Sequence, residues 1–358
     1  MPHLLLAISG HGYGHLAQCA PVVNALQEKI PRLRLTVASS LPRTVLEDHL
    51  APASAHLAVD LDPVLRMTSA WEVDVPASRQ VFARFHRDWD AGIRKDIELL
   101  QGVSPDLVLG NIPYRIFCAA AALEIPAIAL CSLNWAAIHA AYSENCAASR
   151  AIQRQIWSGY QRAQLFLAPQ PALPMPELKN LRALGPIART GVRRRGAVCA
   201  RLSVPATSRL VLVALGGIPS ELPLDSWPCI EDVVWLFSGQ LTAARADWID
   251  IRSLPFPFID VLTSVDAVLT KPGYGTYAEA VCNGVPVLTL ARPDWPETPG
   301  LNDWARQHGC LEEISPEQFR TGRFSAALAA LWQQSIPPPP EPSGIRQAVT
   351  AIGGHFPA

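Results

Sequence analysis

The stretch GHGYGHLAQCAP, residues 10–21, places three glycines and two histidines directly after a short apolar run. A neutral imidazole can take a proton from a hydroxyl group at neutral pH, because its ordinary pKa is about 6.5. We therefore name His15, at the expected start of a helix, as the candidate catalytic base. His11, Gly12 and Gly14 are expected to form the loop in front of it. The alternative is a plain strand-to-helix turn whose histidines are structural.

A second glycine turn lies in KPGYGTYAEAVCNG, residues 271–284, after an apolar strand that should end at Thr270. Thr276 is a residue type that favours the N-cap of a helix, and Glu279 follows it at capping-box spacing. Asn283-Gly284 is a typical helix stop. The segment therefore predicts a strand, a turn and a helix in succession.

The start of that predicted helix is a candidate phosphate site. The free N–H groups and the positive dipole end of a helix N-terminus attract phosphate, which makes Gly273, Gly275 and Thr276 candidate donor-binding residues. Glu279 could contact ribose hydroxyls, as a carboxylate does beside the phosphate turn of a doubly wound sheet. The alternative is that Glu279 only closes a capping box and the turn only connects two elements.

Two more polar segments follow strands in the same half. ALGGIPSE, residues 214–221, offers Gly216, Gly217 and Ser220 as hydrogen-bond donors to a diphosphate, or it is a plain turn. The segment ARPDWPETPGLNDWA, residues 291–305, is dense in side chains that could bind sugar hydroxyls: Asp294, Glu297, Asn302 and Asp303. Solvated loop charges are the alternative for that segment.

The elements that must position these residues alternate between apolar strands and amphipathic helices, which predicts an α/β fold with parallel sheets buried on both faces. A helix is expected from His15 to Lys29, with Pro21 kinking or delaying it, and one long helix from Ser78 to Leu100. The proline-rich stretch APQPALPMPEL, residues 168–178, is typical of a stiff linker. We expect a first domain at residues 1–168, a linker at 169–182, a second domain at 183–336 and a last helix in 343–358.

Composition excludes several classes of function. The chain has 358 residues, a charged fraction of 17% and a formal net charge of −1, with Arg193–Arg195 as its tightest basic cluster, so nucleic acid is not an expected partner. Its apolar runs are strand-sized, so no transmembrane segment is expected. The N-terminus lacks a basic leader, and the eight scattered cysteines favour reduced thiols over disulfides or zinc, which indicates a cytoplasmic protein.

The motifs GHGYGHLAQ and KPGYGTYAEA, in this order, resemble the N- and C-terminal signatures of GT-B glycosyltransferases of the family-28-like group. A still closer likeness is to the glycosyltransferase-like N-terminal region of L-arabinokinases. It covers nearly the whole chain and includes PDLVLGNIPYRIFCAAAALEIPAIAL, NWAAIHAAY, LGGIPS and RPDWPET. The resemblance implies two Rossmann-like domains with parallel sheets facing across a cleft. It also implies that the last helix, in 343–358, packs back on the first domain.

The resemblance also implies roles for the residues. The second domain would bind a nucleotide-diphosphate sugar, with UDP-sugar the expected donor, and the first would bind an unknown hydroxyl acceptor beside the His11–Gly14 loop. Gly216, Gly217, Gly273, Gly275 and Thr276 would face the diphosphate, while Glu279 would bind ribose. Asp294 and Glu297 would contact the sugar, and His15 would lie at the reacting groups.

The resulting prediction is a metal-independent, inverting hexosyltransferase that needs no cofactor. A DxD pattern occurs only in DLD, residues 60–62, and DWD, residues 88–90, both outside the expected donor domain. This chain departs from the family pattern at Gln18, where relatives usually carry Arg. It also departs at ETPGLN, where the family-28-like transferase that adds N-acetylglucosamine to a lipid-linked muramyl peptide carries a Gln pair. The alternatives are a non-catalytic nucleotide-sugar-binding module and a nucleotide-sugar epimerase, because the fold alone does not choose among them.

Overall fold

The computed structural model describes residues 1–52, 55–216, 222–223, 226–238 and 245–356. They form two compact units, the first comprising Met1–Ile187 with Ser343–Ala358 and the second Ala188–Pro342. Each unit is built on its own parallel sheet, as the alternating sequence pattern predicts.

Across the described part of the first unit, seven parallel strands form one sheet in the order β3-β2-β1-β4-β5-β6-β7. The strands are β1 (His3–Ile8), β2 (Arg34–Ala38), β3 (Ala55–Leu57), β4 (Leu107–Asn111), β5 (Ala127–Leu130), β6 (Leu165–Pro169) and β7 (Leu181–Leu184). The helices between them are α1 (Gly14–Lys29), α2 (Arg43–Glu47), α3 (Val75–Arg87), α4 (Trp89–Val103), α5 (Arg115–Ala122), α6 (Trp135–Tyr142) and α7 (Ala147–Tyr160). All six residues of β1 are buried, as expected of a central strand covered on both faces.

In the second unit, the described residues form six parallel strands in the order β10-β9-β8-β11-β12-β13. The strands are β8 (Arg209–Ala214), β9 (Val233–Phe237), β10 (Trp248–Asp250), β11 (Ala267–Thr270), β12 (Val287–Leu290) and β13 (Leu311–Ile314). The helices are α8 (Arg195–Leu202), α9 (Phe258–Thr263), α10 (Tyr274–Cys282), α11 (Thr298–His308), α12 (Pro316–Thr321) and α13 (Ser325–Gln333).

Both sheets reverse their strand order beside their first strand. In the first unit β1 lies between β2 and β4, and in the second β8 lies between β9 and β11. The connections therefore leave in opposite directions from this point, and they open a crevice at the carboxyl ends of the two strands. These two reversals are the places where a doubly wound sheet binds ligands.

The proline-rich segment is not a linker between domains. Residues 169–182 lie inside the first unit, where β6 and β7 pair in parallel through Phe166 with Leu181 and through Pro169 with Leu184. The prolines lie in the connection between two strands of one sheet. The chain passes between the units at Ile187 and again at Pro342.

The long helix expected over 78–100 is two helices, α3 and α4, separated by Asp88. The backbone of Asp88 leaves the helical region at φ −114° and ψ 54°. The break lets the Trp89 ring stack on His86, with 5.2 Å between ring centroids. A four-residue apolar spacing continues across the break, so periodicity alone could not detect it. Helix α1 begins at Gly14 and contains Pro21.

The last helix, α14 (Gly344–Gly353), belongs to the first unit and packs against α1. Its first turn is tied to the end of β7, because Gly344 N–H donates to the Pro186 carbonyl over 3.0 Å. The Gln347 side chain accepts from Gly185 N–H over 2.7 Å.

None of the helices in the described ranges is both long and apolar enough to cross a membrane.

We predict that His139→Leu stabilises the protein. His139 on α6 is 4% exposed, lies 5.0 Å from Phe82 by ring centroids, and its Nδ1 has no hydrogen-bond partner. Removing a buried unpaired polar atom should raise the free energy of unfolding by about 1 kcal/mol. Burial lowers the pKa of His139 to about 4. Because the unfolded chain takes up that proton at higher pH, wild-type stability should fall between pH 6.5 and 4, and less so in the variant.

Thermal melts at pH 7 and pH 5 test this prediction. His86→Leu is the matched control, because both His86 ring nitrogens are bonded at 2.7 Å, one to Gln155 and one to Tyr114. That control should lower the melting temperature at pH 7. A lower melting temperature for His139→Leu at pH 7, with an unchanged loss on acidification, would contradict the prediction.

Candidate functional site

His15 lies at the reversal point of the first sheet. The turn after β1 leads into α1, whose second residue is His15, and the neighbouring strand β4 ends at Asn111. The two side chains meet there, with His15 Nδ1 2.7 Å from Asn111 Oδ1. The turn requires a positive φ at Gly12, which is 70° and suits a residue without a side chain.

His15 is 5% exposed, and this burial lowers its pKa to about 4, although the hydrogen bond to Asn111 opposes the shift. The imidazole is therefore neutral at pH 7. Two described residues contact the His15 ring through Nδ1: Asn111 by a hydrogen bond, and Cys131, whose Sγ lies 3.9 Å away. Nε2 has no hydrogen bond to the described residues.

An aromatic and acidic wall lies beside His15. The ring of Trp135, the first residue of α6, has its centroid 6.1 Å from that of His15 and 5.7 Å from that of His11. The Trp135 indole donates to Asp62 Oδ2 over 2.6 Å. Burial raises the pKa of Asp62 to about 6. The structure therefore brings both predicted histidines to one tryptophan.

The reversal of the second sheet brings two predicted turns together. Strands β8 and β11 pair through Ala214 and Thr270, and Thr270 Oγ1 also donates to the Ala214 carbonyl over 2.6 Å. Gly216 follows β8 with a φ of 86°, and Lys271 follows β11. A methyl group placed on Gly216 would lie 4.0 Å from Lys271 Nζ, and one placed on Gly273 would lie 3.9 Å from it. The ammonium group therefore lies beside both glycine turns.

Lys271 is a cation in a desolvated position. The pKa of Lys271 is lowered from 10.5 to about 8, chiefly by burial and then by the charge of Arg292, while Glu297 opposes the shift. The Lys271 ammonium group forms no hydrogen bond or ion pair with the residues that the structure describes. A compact ammonium next to two turns of accessible backbone suits a diphosphate.

Helix α10 begins earlier than its sequence suggests. It starts at Tyr274 with Gly273 as N-cap, and the N-cap makes no side-chain hydrogen bond, so Thr276 does not cap the helix and the capping box with Glu279 is wrong. Gly275 and Thr276 lie in the first turn instead, where N–H groups have no acceptor within the helix. The glycine turn directs these groups toward the end of β11. The predicted helix stop is confirmed, because α10 ends at Cys282 with Asn283 as its C-cap.

Glu279 is buried in α10 and forms an ion pair that the sequence did not predict. Its Oε1 accepts from Arg189 Nε over 2.6 Å, while the Arg189 side chain is 41% exposed. One carboxylate oxygen is therefore engaged by a cation within its own unit. The role of Glu279 toward ribose stays a prediction.

The acidic segment after β12 divides into inward and outward residues. Glu297 is 5% exposed and accepts from the Trp295 indole over 3.2 Å, whereas Asp294 is exposed. Asn302 is structural, because it accepts from the Tyr277 hydroxyl over 2.8 Å and donates to Glu313. Asp303 lies on the surface, 3.6 Å from Arg306. Gly217 and Ser220 lie outside the described residues.

Sequence reasoning missed three contributors to these sites. Asn111 is the polar last residue of a buried apolar strand, DLVLGN, and that position at a strand end was the available signal. Lys271 is the first residue of the motif KPGYGTYAEA, but nothing in the motif reveals that its side chain lies beside the turns at Gly216 and Gly273. Trp135 and its bond to Asp62 join residues 73 positions apart, which no local pattern can show.

Within the ranges that the structure describes, no group of three or more His, Cys, Asp or Glu side chains is arranged to hold a metal ion. All eight cysteines are free thiols.

No family model matches this sequence. The chain is 24% identical over 340 residues to L-arabinokinase from Arabidopsis thaliana, and the match covers 91% of this chain and 32% of that protein. The chain thus spans about a third of the length of the curated relative that it matches.

Solved structures share the fold. CalG4, the calicheamicin glycosyltransferase, aligns with a TM-score of 0.63 at 17% identity, covering 99% of this chain and 94% of that one. Arabidopsis thaliana UGT89C1 complexed with UDP aligns with a TM-score of 0.58 at 16% identity, covering 99% of each chain. A candidate UDP-N-acetylglucosamine 2-epimerase from Listeria monocytogenes aligns at 0.58 and 15%, covering 99% and 97%. The chain therefore has the GT-B fold of glycosyltransferases.

We predict that the affinity for UDP falls as pH rises from 7.5 to 8.5. The charge of the diphosphate is constant above about pH 7.5, since its second phosphate pKa is about 6, and the uracil ring stays neutral up to the end of this range. The Lys271 ammonium loses its proton near pH 8, and with it the charge that attracts the diphosphate. Lys271→Met should weaken binding at pH 7.5 by about tenfold or more. Lys271→Arg should remove most of the pH dependence, since arginine stays charged.

Isothermal titration calorimetry with UDP measures these affinities. Lys95→Met, an exposed substitution on α4, is the control for the lost charge. If Lys271→Met and Lys95→Met bind UDP with equal affinity, Lys271 is not a phosphate ligand.

Proposed function

We propose that this chain is a glycosyltransferase that moves a hexose from a nucleotide-diphosphate sugar, with UDP-sugar the expected donor, to a hydroxyl acceptor. The observation that carries the proposal is the group of residues at the reversal of the second sheet that we propose as an anion receptor. There the Lys271 ammonium lies beside the turns at Gly216 and Gly273, next to the first turn of α10. The shared GT-B fold and the UDP bound in UGT89C1 support this assignment.

On the donor side, the proposed diphosphate accepts hydrogen bonds from the N–H groups of Gly275 and Thr276. The positive charge of Lys271 attracts it. These groups are fixed before the ligand arrives, so they stabilise the charge that develops on the leaving diphosphate without reorganisation. We propose that they make a metal ion unnecessary and that no cofactor is needed. Glu279 is the proposed ribose contact through the oxygen not bonded to Arg189, and Asp294 and Glu297 are the proposed sugar contacts.

On the acceptor side, His15 Nε2 takes the proton of the acceptor hydroxyl as its oxygen attacks the anomeric carbon. A new carbon–oxygen bond forms, the bond from that carbon to the diphosphate oxygen breaks, and the electron pair leaves with the diphosphate. One such displacement inverts the anomeric centre. The wall formed by His11, Trp135 and Asp62 is the proposed contact surface for the acceptor. We also infer a reducing compartment such as the cytoplasm, which the eight free cysteines support.

Two alternative functions of this protein would use the same anion receptor. A non-catalytic module would bind the nucleotide sugar without consuming it. An epimerase is favoured by one observation, the structural likeness to the Listeria protein, and it would change the sugar without needing a hydroxyl acceptor.

We predict that His15→Gln binds the donor with unchanged affinity but releases nucleoside diphosphate at least about a hundredfold more slowly. The acceptor proton then has no base, whereas the receptor in the second unit is intact. The measurement is calorimetry with UDP-, GDP- and dTDP-sugars, followed by nucleoside diphosphate release from the sugar that binds, in water and with a panel of hydroxyl acceptors. His308→Gln on α11 is the matched control and should keep the wild-type rate.

Each outcome decides among the functions. Binding of none of these sugars would refute the transferase, the module and the epimerase together. Binding with no release and no change in the sugar favours the module. Epimerised sugar in the reaction mixture favours the epimerase.

A further inference from the structure

We propose that Gln18 is a positioning residue that fixes the tautomer of His15, through a hydrogen-bond chain that runs from the backbone of Ser132 through Gln18 and Asn111. The assignment of the tautomer rests on geometry alone. Its consequence for catalysis rests on the function proposed above.

The hydrogen-bond chain starts at a backbone N–H group, whose role as a donor is known. The backbone N–H of Ser132 lies 3.3 Å from one end of the Gln18 side-chain amide. A backbone N–H can only donate, so that end must be the carbonyl oxygen Oε1. The other end, Nε2, then donates to the Ser132 hydroxyl over 2.8 Å. The Ser132 backbone N–H thus sets the direction of the Gln18 amide, and the Ser132 hydroxyl accepts at its other end.

Gln18 in turn orients Asn111. The Asn111 amide approaches Gln18 Oε1 at 3.2 Å. An oxygen that accepts there must face a donor, so Asn111 presents Nδ2 to Gln18. Its Oδ1 therefore faces the opposite way, toward His15.

The last link fixes the imidazole. Asn111 Oδ1 accepts only, so the His15 nitrogen 2.7 Å away must carry the proton. Neutral His15 is therefore protonated at Nδ1 and has its lone pair at Nε2. That is the nitrogen without a hydrogen bond to the described residues. It is also the tautomer that the proposed general base needs, because the lone pair is at the nitrogen that the proposed function assigns to the acceptor hydroxyl.

The residues of this hydrogen-bond chain are buried, which makes any other arrangement of it unfavourable. Gln18 is 3% exposed, Asn111 and Ser132 are 0% exposed, and His15 is 5% exposed. Water cannot replace a lost partner in such a position, so turning either amide would set two donors or two acceptors against each other without compensation. The chain has one consistent direction, and the Ser132 peptide sets it.

The test reads the tautomer directly. In protein labelled with ¹⁵N-histidine, long-range ¹H–¹⁵N correlation spectra at pH 8 distinguish a protonated from an unprotonated ring nitrogen, and the His15→Gln spectrum identifies His15 among the nine histidines. Wild-type protein should show His15 protonated at Nδ1 alone. Gln18→Leu removes the acceptor that orients Asn111, so a substantial fraction of His15 should carry its proton on Nε2.

Two matched variants separate positioning from general damage. Gln18→Glu keeps an acceptor for Ser132 N–H and for Asn111 Nδ2, so it should keep the Nδ1-protonated form. In the double variant Gln18→Leu with Asn111→Asp, the carboxylate only accepts from either oxygen, so the Nδ1-protonated form should return. Loss of packing at Gln18 cannot produce such a rescue, and thermal melts report whether each variant is folded.

Kinetics then separate this proposal from the proposed function. Gln18→Leu should lower kcat for nucleoside diphosphate release by about tenfold or more, with KM for the donor unchanged, and the double variant should recover part of that loss. A shifted tautomer with unchanged kcat would support the chain and overturn His15 as the base. An Nε2-protonated His15 in the wild type, or one that stays Nδ1-protonated in folded Gln18→Leu, would overturn the role of Gln18.

Discussion

The reversal of strand order beside the first strand of each sheet is the constraint on which the rest of this structure depends. In a doubly wound sheet the connections from the two central strands part at that point, and the strand ends there are left open to ligands. In this chain both reversals carry chemically useful residues. His15 and Asn111 occupy the reversal of the first sheet, and Gly216, Lys271 and the start of α10 occupy the reversal of the second.

Desolvation lowers the pKa of a basic side chain at both sites, but the charge at pH 7 differs between them. Burial lowers the pKa of His15 to about 4, which keeps the imidazole neutral and able to accept a proton. The neighbour at Nδ1 is an amide and not a carboxylate, so it orients the ring without adding a charge that would stabilise the protonated form. At Lys271 burial lowers the pKa only to about 8, so the side chain keeps most of its positive charge at pH 7. A diphosphate would restore the solvation that the ammonium has lost.

Much of the fold could be predicted from the sequence, because buried parallel strands are continuous apolar runs and glycine turns mark their ends. The residues on or next to these turns, such as His15 and Gly273, could be found because the glycine turns directly follow the apolar runs. The break at Asp88 and the strand β7 beyond the prolines could not, because tertiary packing decides them and periodicity does not record it. Asn111, Gln18 and Ser132 are spread over more than 100 positions and meet only when β1, β4 and β5 pair. The tautomer of His15 is therefore a property of the fold and not of any motif.

A crystal structure of the protein with UDP bound tests the proposed donor site, since it locates the diphosphate without requiring the acceptor. We predict that the phosphate oxygens lie at the carboxyl ends of β8 and β11, within hydrogen-bond distance of Lys271 Nζ and of the N–H groups of Gly275 and Thr276. UDP bound away from the reversal of the second sheet, or no UDP in that crevice at a saturating concentration, would contradict it.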